Sequence, residues 1–418
     1  MVLERLLGLR EGGMATTSFL YHAMGLRGYR LLSTEYAGGE VIYRVEMAPG
    51  KRRCRGCGAR FHELRLAGKF RRRFLGLPVG RRTQVVILEG HRQECRRCGA
   101  TLREPIPFAD GESRHLRAFA RFAVDLCGIA TVKYVAKLLG VGWDLVKDIY
   151  KSHLAGRLKR RPLHKVRYIA IDEFSIQKGH RYMAVVLDLE TGEILYVHEG
   201  KDAASVVPFL EELKRAGAPL RAVAIDMSEA FANAVRSVYG SKVDIVHDPF
   251  HVVALASDAI DETRRDLVRS LSGPERKVVK GTRFLLLKGL ESLKPGSLER
   301  LMLLMEANEP LYQAYLLKED LRQFWSLPDA DAGSAFLDDW TAEARATGIA
   351  HFARLANTLD THRPGLLAYF RHRISTGPLE GLNNKIKVLK RQAYGFRDME
   401  YFKLRLYFLH ETPLSLTG

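Results

Sequence analysis

The sequence predicts a multidomain α/β protein, and three observations carry that prediction. A basic first third contains two C-x-x-C pairs, and residues 168–247 alternate short apolar strands with helices. From about 252 to 371 no strand signal occurs, and apolar residues recur at helical spacing. At 418 residues the chain is long enough for several domains. Lys and Arg number 66 against 48 Asp and Glu, a formal charge of +18, so polyanions are the favoured partners. No apolar run approaches the ~18 residues needed to cross a bilayer. Residues 1–13 (MVLERLLGLREGG) lack the cleavable small-residue site of a signal peptide. A membrane surface therefore falls away as the partner, and nucleic acid remains.

Residues 1–50 read as a polar lead and a hairpin, with strands at 31–36 and 41–47 turning at Gly38-Gly39. Residues 51–110 hold Cys54, Cys57, Cys95 and Cys98. In a chain without a secretion signal such pairs suggest a metal rather than disulfides, and a reducing, cytoplasmic compartment. Four thiolates fill the tetrahedral shell of one Zn²⁺ and leave no open position, so this metal would be a structural staple. Glycine follows each second cysteine, at Gly58 and Gly99, where a knuckle turns through positive φ. The alternative is four buried, unmetallated cysteines. Arg71, Arg72, Arg73, Arg96 and Arg97 crowd the module and are expected to present one basic face to DNA. Cys127 stands alone in an apolar helical pattern.

Residues 111–155 are helical with a break at 139–142. Within them, residues 131–150 (TVKYVAKLLGVGWDLVKDIY) have the cadence of a helix-turn-helix. Val132, Val135 and Leu138 line the first helix, Gly140 allows the turn, and Val146 and Ile149 face inward on the second. Trp143, Asp144 and Lys147 then stand at the start of a recognition helix, in reach of a major groove. A plain helical hairpin is the competing reading. Residues 156–167, basic and proline-containing, read as a linker.

Strands are expected at 168–172 (YIAID), 182–187, 194–197, 222–226 and 244–247, with a helix at 204–215 and another before the last strand. Asp172 and Asp226 end two of these strands in like contexts, Ile171-Asp172-Glu173 and Ile225-Asp226-Met227. Charged groups just past two buried strands are costly unless they share a cation. Glu380 opens the last helix, after Pro378, and completes a candidate site for two Mg²⁺ (or Mn²⁺) ions about 3.5–4 Å apart. Taken singly, each acid also reads as a loop carboxylate or a helix cap. Lys385, Lys387, Lys390 and Arg391 follow Glu380 on the same helix, where a basic face would hold phosphates.

The stretches IDEFSIQKGHRY, VVLDLETGEILYVHEGKD, AIDMSEAFANAV, HDPFHVV, KGTRFLLLKG, LLKEDLRQFW and STGPLEGLNNKIKVLKRQAYGFRD resemble the transposases of the ISL-three family of bacterial insertion sequences. The resemblance runs from about residue 16 to 410, and its most specific piece is GPLEGLNNKIKVLKRQAYGF. It implies an RNase H-like core, 168–251 and 372–410, split by an all-helical insertion, 252–371, with a tail at 411–418. It carries the acidic triad onto Asp172, Asp226 and Glu380, and an auxiliary Asp-x-x-His element onto Asp248 and His251. Glu173 and Asp188 are nearby carboxylates to which it gives no role. Residues 1–13 lie upstream of the matching region, with Met14 an alternative start.

The implied activity is that of a DDE transposase. Such an enzyme binds terminal inverted repeats, cleaves phosphodiester bonds at the ends and joins the 3′-OH to target DNA. It would work as a dimer or larger assembly on DNA, in the bacterial cytoplasm at the nucleoid. Two rivals remain. A domesticated zinc-dependent DNA-binding regulator would have no need of the three acids, and an RNase H-like structure-selective nuclease would not require a dedicated zinc and helix-turn-helix reader. Trp325 and Trp340 read as core of a helical bundle, with Trp325 also a candidate for stacking on a displaced base.

Overall fold

The computed structural model describes residues 13–158, 162–177 and 181–409. The chain divides into two compact units, 1–157 and 158–414. Most of the expected N-terminal lead (1–12) and the C-terminal tail lie outside the described residues.

The first unit opens with helix α1 (Gly13–Met24), where the sequence predicts a polar lead. A five-stranded sheet follows: β1 (Tyr29–Ala37), β2 (Glu40–Met47), β3 (Leu64–Leu75), β4 (Thr83–Cys95) and β5 (Thr101–Arg103). Gly38 (φ 56) and Gly39 (φ 80) turn the β1–β2 hairpin, the two consecutive positive φ angles that a type I′ turn demands. The path of the sheet is β1-β2-β4-β3, with β5 on β4. Because β2 pairs in parallel with β4, the hairpin belongs to the same sheet as the cysteine-bearing strand.

Three helices complete the unit: α2 (Arg117–Ile129), α3 (Val132–Leu139) and α4 (Trp143–Leu158). Thr131 caps α3 by accepting the Tyr134 N–H, and Gly140, at φ 65, closes it. Val132, Val135 and Val146 are buried as expected, but Leu138 is 57% exposed and Leu139 is buried instead. At 100° per residue Leu139, seven after Val132, returns to the inner face, whereas Leu138 swings off it. Tyr150 takes the buried position expected of Ile149, which is half-buried. Helix α4 runs through residues 156–158, the start of the expected linker.

The second unit is built on β6 (Tyr168–Gln177), β7 (Arg181–Asp188), β8 (Ile194–Glu199), β9 (Ala222–Ile225) and β10 (Asp244–His247), with α5 (Val207–Arg215) and α6 (Glu229–Tyr239) between the later strands. The order is β10-β9-β6-β7-β8. Strands β6, β7 and β8 run antiparallel, and β9 and β10 run parallel to β6. β6 continues past Asp172 because β7 pairs with it along Asp172↔Val185 and Phe174↔Met183. Successive side chains point to opposite faces. Ile169, Ile171 and Val223 therefore pack with Phe209, Leu213, Phe231 and Val235 of α5 and α6. Ala170, Phe174 and Ala224 pack with Leu379, Leu382, Ile386 and Leu389 of α14 (Gly377–Gln392) and with Phe402 and Leu406 of α15 (Met399–Tyr407).

Between β10 and α14 the described chain is helical: α7 (Pro249–Ser270), α8 (Gly273–Val279), α9 (Arg283–Leu287), α10 (Pro295–Ala307), α11 (Glu309–Gln323), α12 (Ala330–Ala346) and α13 (Ala350–His372). These helices enclose a core of their own, including Leu311, Phe324, Leu337, Trp340, Phe352 and Leu359. Trp340 is a core residue, its indole N–H bonded to the Leu317 carbonyl at 2.9 Å. Trp325 is half-buried, packed edge-on to Phe324 at the margin of that core. Lys318, also buried, donates to the Leu286 and Lys288 carbonyls at 2.8 Å, closing the C-terminal end of α9.

The two ends of this helical segment are held at one point. Asp248, 2% exposed, accepts the His251 N–H on one oxygen (3.2 Å), capping α7, and the Thr376 N–H on the other (2.8 Å), just before α14. Beside it, His247 packs against Gly365 of α13 so closely that a Cβ there would lie 2.3 Å from the imidazole. Asp248→Ala removes a cap and a charge-assisted hydrogen bond together. It is expected to destabilise the second unit by about 2–4 kcal/mol in chemical denaturation. Stability equal to that of the parent protein would show that the clasp carries nothing.

Candidate active site and metal centre

The cysteine cluster is built from two matching turns. The Gly58 N–H bonds the Cys54 carbonyl (2.9 Å) and the Gly99 N–H bonds the Cys95 carbonyl (2.8 Å), with Gly58 at φ 75 and Gly99 at φ 68. The Sγ atoms of Cys54 and Cys98 stand 3.7 Å apart and those of Cys57 and Cys95 3.6 Å, and all four lie within 4.8 Å of one another. A tetrahedral Zn²⁺ with bonds of about 2.3 Å sets its sulfurs about 3.8 Å apart, so the cluster is compatible with zinc. The charges agree. Backbone N–H groups of Cys57 and Gly56 draw the Cys54 thiol down to about 7. The Ala59 N–H pulls Cys57 the same way, yet burial and the neighbouring thiols push it up to about 12. Cys127, buried in α2, is not one of the four.

The arginines do not form one face. Arg71 and Arg73 alternate with Arg72 along β3, as the pleat requires. Arg71 pairs with Glu89 and Arg73 with Glu40, both partly exposed. Arg72 turns the other way, lies over the Phe74 ring and donates to the Ser113 carbonyl at 2.9 Å. Arg96 and Arg97 are exposed on the second knuckle. At the start of α4, Trp143 is 46% exposed, while Lys147 sits over its ring and beside Asp144 and Asp148.

In the second unit two of the three acids lie on neighbouring segments. The parallel pairs Tyr168↔Ala222, Ile169↔Val223 and Ala170↔Ala224 stop two residues short of Asp172, which shares parity with Ala170 on the face covered by α14. Asp226 directly follows β9 and is near enough for its charge to act on Asp172 and Glu173. Asp172 accepts the Glu173 N–H on Oδ1 (2.8 Å) and the Asn383 side-chain amide on Oδ2 (3.0 Å). A carboxylate can only accept, so the NH₂ of Asn383 faces it; the Oδ1 of Asn383 is then buried with no partner. Asp226 accepts the Ser228 N–H (3.0 Å), and its main-chain carbonyl receives the Nδ1 proton of His247 (3.1 Å). Burial pushes His247 down to about 4, so that ring is neutral.

Burial raises the Asp172 carboxyl above the ordinary aspartate range, against the pull of the Glu173 N–H, His251 and Asn383. Burial raises Glu173 too, with Asp226 and Asp172 adding like-charge repulsion. Glu380 is exposed on the first turn of α14. Among the described residues the cysteines are the one group of three or more ligands close enough to hold a single ion. Asp172, Asp226 and Glu380 do not close to that distance.

Seen along α14 at 100° per residue, Lys387 and Arg391 fall within about 20° of Glu380, and both are exposed. Lys385 is exposed on another face, and Lys390 is half-buried, donating to the Ser175 carbonyl at 2.9 Å. Asp248 has both oxygens engaged in the clasp, and His251, in the first turn of α7, favours the ionised forms of Asp172 and Glu173. Asn383 is the contributor that sequence reading missed. Its signal was present, since a residue three after Glu380 shares that residue's side of the helix.

A family model described as a transposase, of the DDE-type ISL3 group, matches residues 169–406. The chain is 33% identical over 357 residues to the transposase for insertion sequence element IS1001 of Bordetella parapertussis, covering 84% of this chain and 87% of that one. It is 30% identical over 388 residues to the transposase for IS1557 of Mycobacterium tuberculosis, covering 86% of each. The chain belongs to the ISL3 family of DDE-type transposases. It is thus a metal-dependent enzyme that acts on DNA. The Drosophila P element transposase strand transfer complex matches with a TM-score of 0.39 and 11% identity, over 71% of this chain and 92% of that one, too distant to bear on the site. No helix among the described residues is long and apolar enough to cross a membrane.

The raised Asp172 carboxyl makes the transposase less stable when ionised. That penalty is absent below the unfolded-state value and grows as pH rises through the folded-state value. In metal-free buffer Asp172→Asn should therefore raise Tm at neutral pH, with the gain fading toward pH 3. Added Mn²⁺ should raise the Tm of the parent and leave the variant unmoved. Equal Mn²⁺ shifts in both proteins would remove Asp172 from the metal site.

Proposed function

We propose that Asp172, Asp226 and Glu380 form the catalytic centre of this transposase, in an RNase H-like core interrupted by the helical segment between β10 and α14. One observation carries the reading. Asp172 on β6 and Asp226 just past the neighbouring parallel strand β9 are near enough to interact, and the helix that bears Glu380 hydrogen-bonds Asp172 through Asn383. The sheet order supports the fold assignment: three antiparallel strands and two parallel ones added beside the first.

The donor set fits a hard divalent ion such as Mg²⁺ or Mn²⁺. The acids offer only oxygen, and the buried Asn383 Oδ1 lacks a donor that a metal-bound water would supply. Bound there, such ions activate the attacking water or 3′-OH and take up charge on the leaving oxygen. The chain's own residues do the positioning. Asn383 fixes the Asp172 carboxylate, His247 fixes the Asp226 backbone, and Asp248 sets the start of the Glu380 helix. Lys387 and Arg391, exposed in line with Glu380, hold the phosphates of the reacting strand.

The first unit recognises the terminal inverted repeats. Zn²⁺ in the four cysteines keeps the knuckles folded, Arg71, Arg73, Arg96 and Arg97 supply phosphate contacts, and Trp143 at the start of α4 reaches a groove. The enzyme works in the bacterial cytoplasm as a dimer or larger assembly on the two ends, cutting them and joining the freed 3′-OH to target DNA.

The two metals have separable roles. Asp172→Asn, Asp226→Asn and Glu380→Gln should each abolish Mg²⁺-dependent cleavage while end binding stays within a few-fold. Metal analysis should give one zinc per chain in the parent and none in Cys95→Ser, which should also lose end recognition and keep weak, salt-sensitive nicking of non-specific DNA. Near-parental cleavage by any acid variant, or normal end binding by Cys95→Ser, would contradict the assignment.

A further inference from the structure

The helix that carries Glu380 ends on a tyrosine where its backbone asks for glycine. At the C-terminus of α14 the Gly395 N–H bonds the Lys390 carbonyl (3.0 Å) and the Tyr394 N–H bonds the Arg391 carbonyl (3.1 Å). Closing the helix this way places Tyr394 in the left-handed region, at φ 51, followed by Gly395 at φ 94. Glycine is the usual occupant of such a position, because a Cβ crowds the neighbouring carbonyl. Tyr394 and Arg373 are the two non-glycine residues with positive φ among those described. The side chain of Tyr394 is 100% exposed, so a large aromatic ring recovers nothing from the fold for the strain it imposes.

Its surroundings point to a polyanion. Lys387 and Arg391 lie exposed along the helix toward Glu380, and Arg397 is exposed just beyond. Fourteen residues of roughly helical chain place Tyr394 about 21 Å from Glu380, the length of about six nucleotides of one strand. A tyrosine hydroxyl can donate to a phosphate, whereas the fully exposed ring also offers a face for stacking on a base. Tyr394→Phe keeps the second and loses the first.

We infer that Tyr394 is a base-stacking residue. It takes an unpaired or splayed base of the DNA strand that runs along the Lys387–Arg391 stripe, about six nucleotides from the phosphate held at Glu380. This rests on the reading of α14 as the helix beside the reacting phosphate. A ring kept for stability would be buried, and a residue kept only to close the helix would be glycine.

The test sets stability against binding in the full-length chain. Tyr394→Gly relieves the left-handed strain and should raise Tm by about 2–4 °C. It should also weaken binding of a single-stranded oligonucleotide by about tenfold. The slope of log affinity against log salt should stay unchanged, because no charge is lost. Quenching of a 2-aminopurine in that oligonucleotide should disappear in Tyr394→Gly and survive in Tyr394→Phe. Parental affinity and quenching in Tyr394→Gly, or a fall in its Tm, would overturn the inference. Lys387→Ala with Arg391→Ala serves as the control on the underlying reading and should flatten the salt slope. If the slope does not change, α14 does not lie on DNA; if it flattens while Tyr394→Gly binds normally, only the stacking role fails.

Discussion

A buried carboxylate joins two parts of the second unit that lie far apart in the chain. Asp248 follows β10 directly, so its backbone is fixed by the sheet, and its N–H bonds the Ile225 carbonyl at 2.9 Å. One of its oxygens starts the helical segment, and the other receives the chain 128 residues later, just before α14. Both oxygens accept backbone N–H groups in a buried setting, where water does not compete for those donors. The clasp acts together with the apolar face of α14, whose Leu379, Leu382, Ile386 and Leu389 pack on Ala170, Phe174 and Ala224. Both contacts tie the helix of Glu380 to the sheet rather than to the seven intervening helices.

Much of this was legible in the sequence where single residues impose backbone geometry or where a period is clean. Gly38-Gly39, Gly58, Gly99 and Gly140 mark turns whose φ angles are positive in the structure, and Pro378 marks the first turn of α14. The alternation of strands and helices from 168 to 247 stands out because those strands are short, apolar and bounded by turn residues. Strands β3 and β4 were hidden for the opposite reason. In LRLAGKFRRRFL and TQVVILEGHRQEC the charged side chains mask the alternation, and pairing with each other and with β2 supplies the preference that local sequence lacks. The same pleat that makes β3 a strand splits its three consecutive arginines between two faces, which composition alone does not show.

The carboxylate site was legible as residues and not as geometry. Sequence placed Asp172 and Asp226 at strand ends; Asp226 does follow the last residue of β9, whereas β6 runs on past Asp172 through its pairing with β7. Asn383 lies three residues after Glu380 on the same side of the helix. Neither its partner Asp172 nor the Asp226 carbonyl that His247 meets is given by local sequence, since each lies more than twenty residues away. The two candidate metal sites differ in chemistry as well as in place. Soft, crowded thiolates with all positions taken make a structural centre, and hard oxygens on a partly open face make a reactive one.

The most direct measurement is an anomalous difference map from crystals of the full chain grown with zinc and soaked in Mn²⁺, recorded at both metal edges. The expected map shows manganese between Asp172 and Asp226 with Glu380 drawn toward it, and zinc among Cys54, Cys57, Cys95 and Cys98. Manganese bound elsewhere, with Asp172 and Asp226 unligated, would contradict the assignment of the catalytic centre.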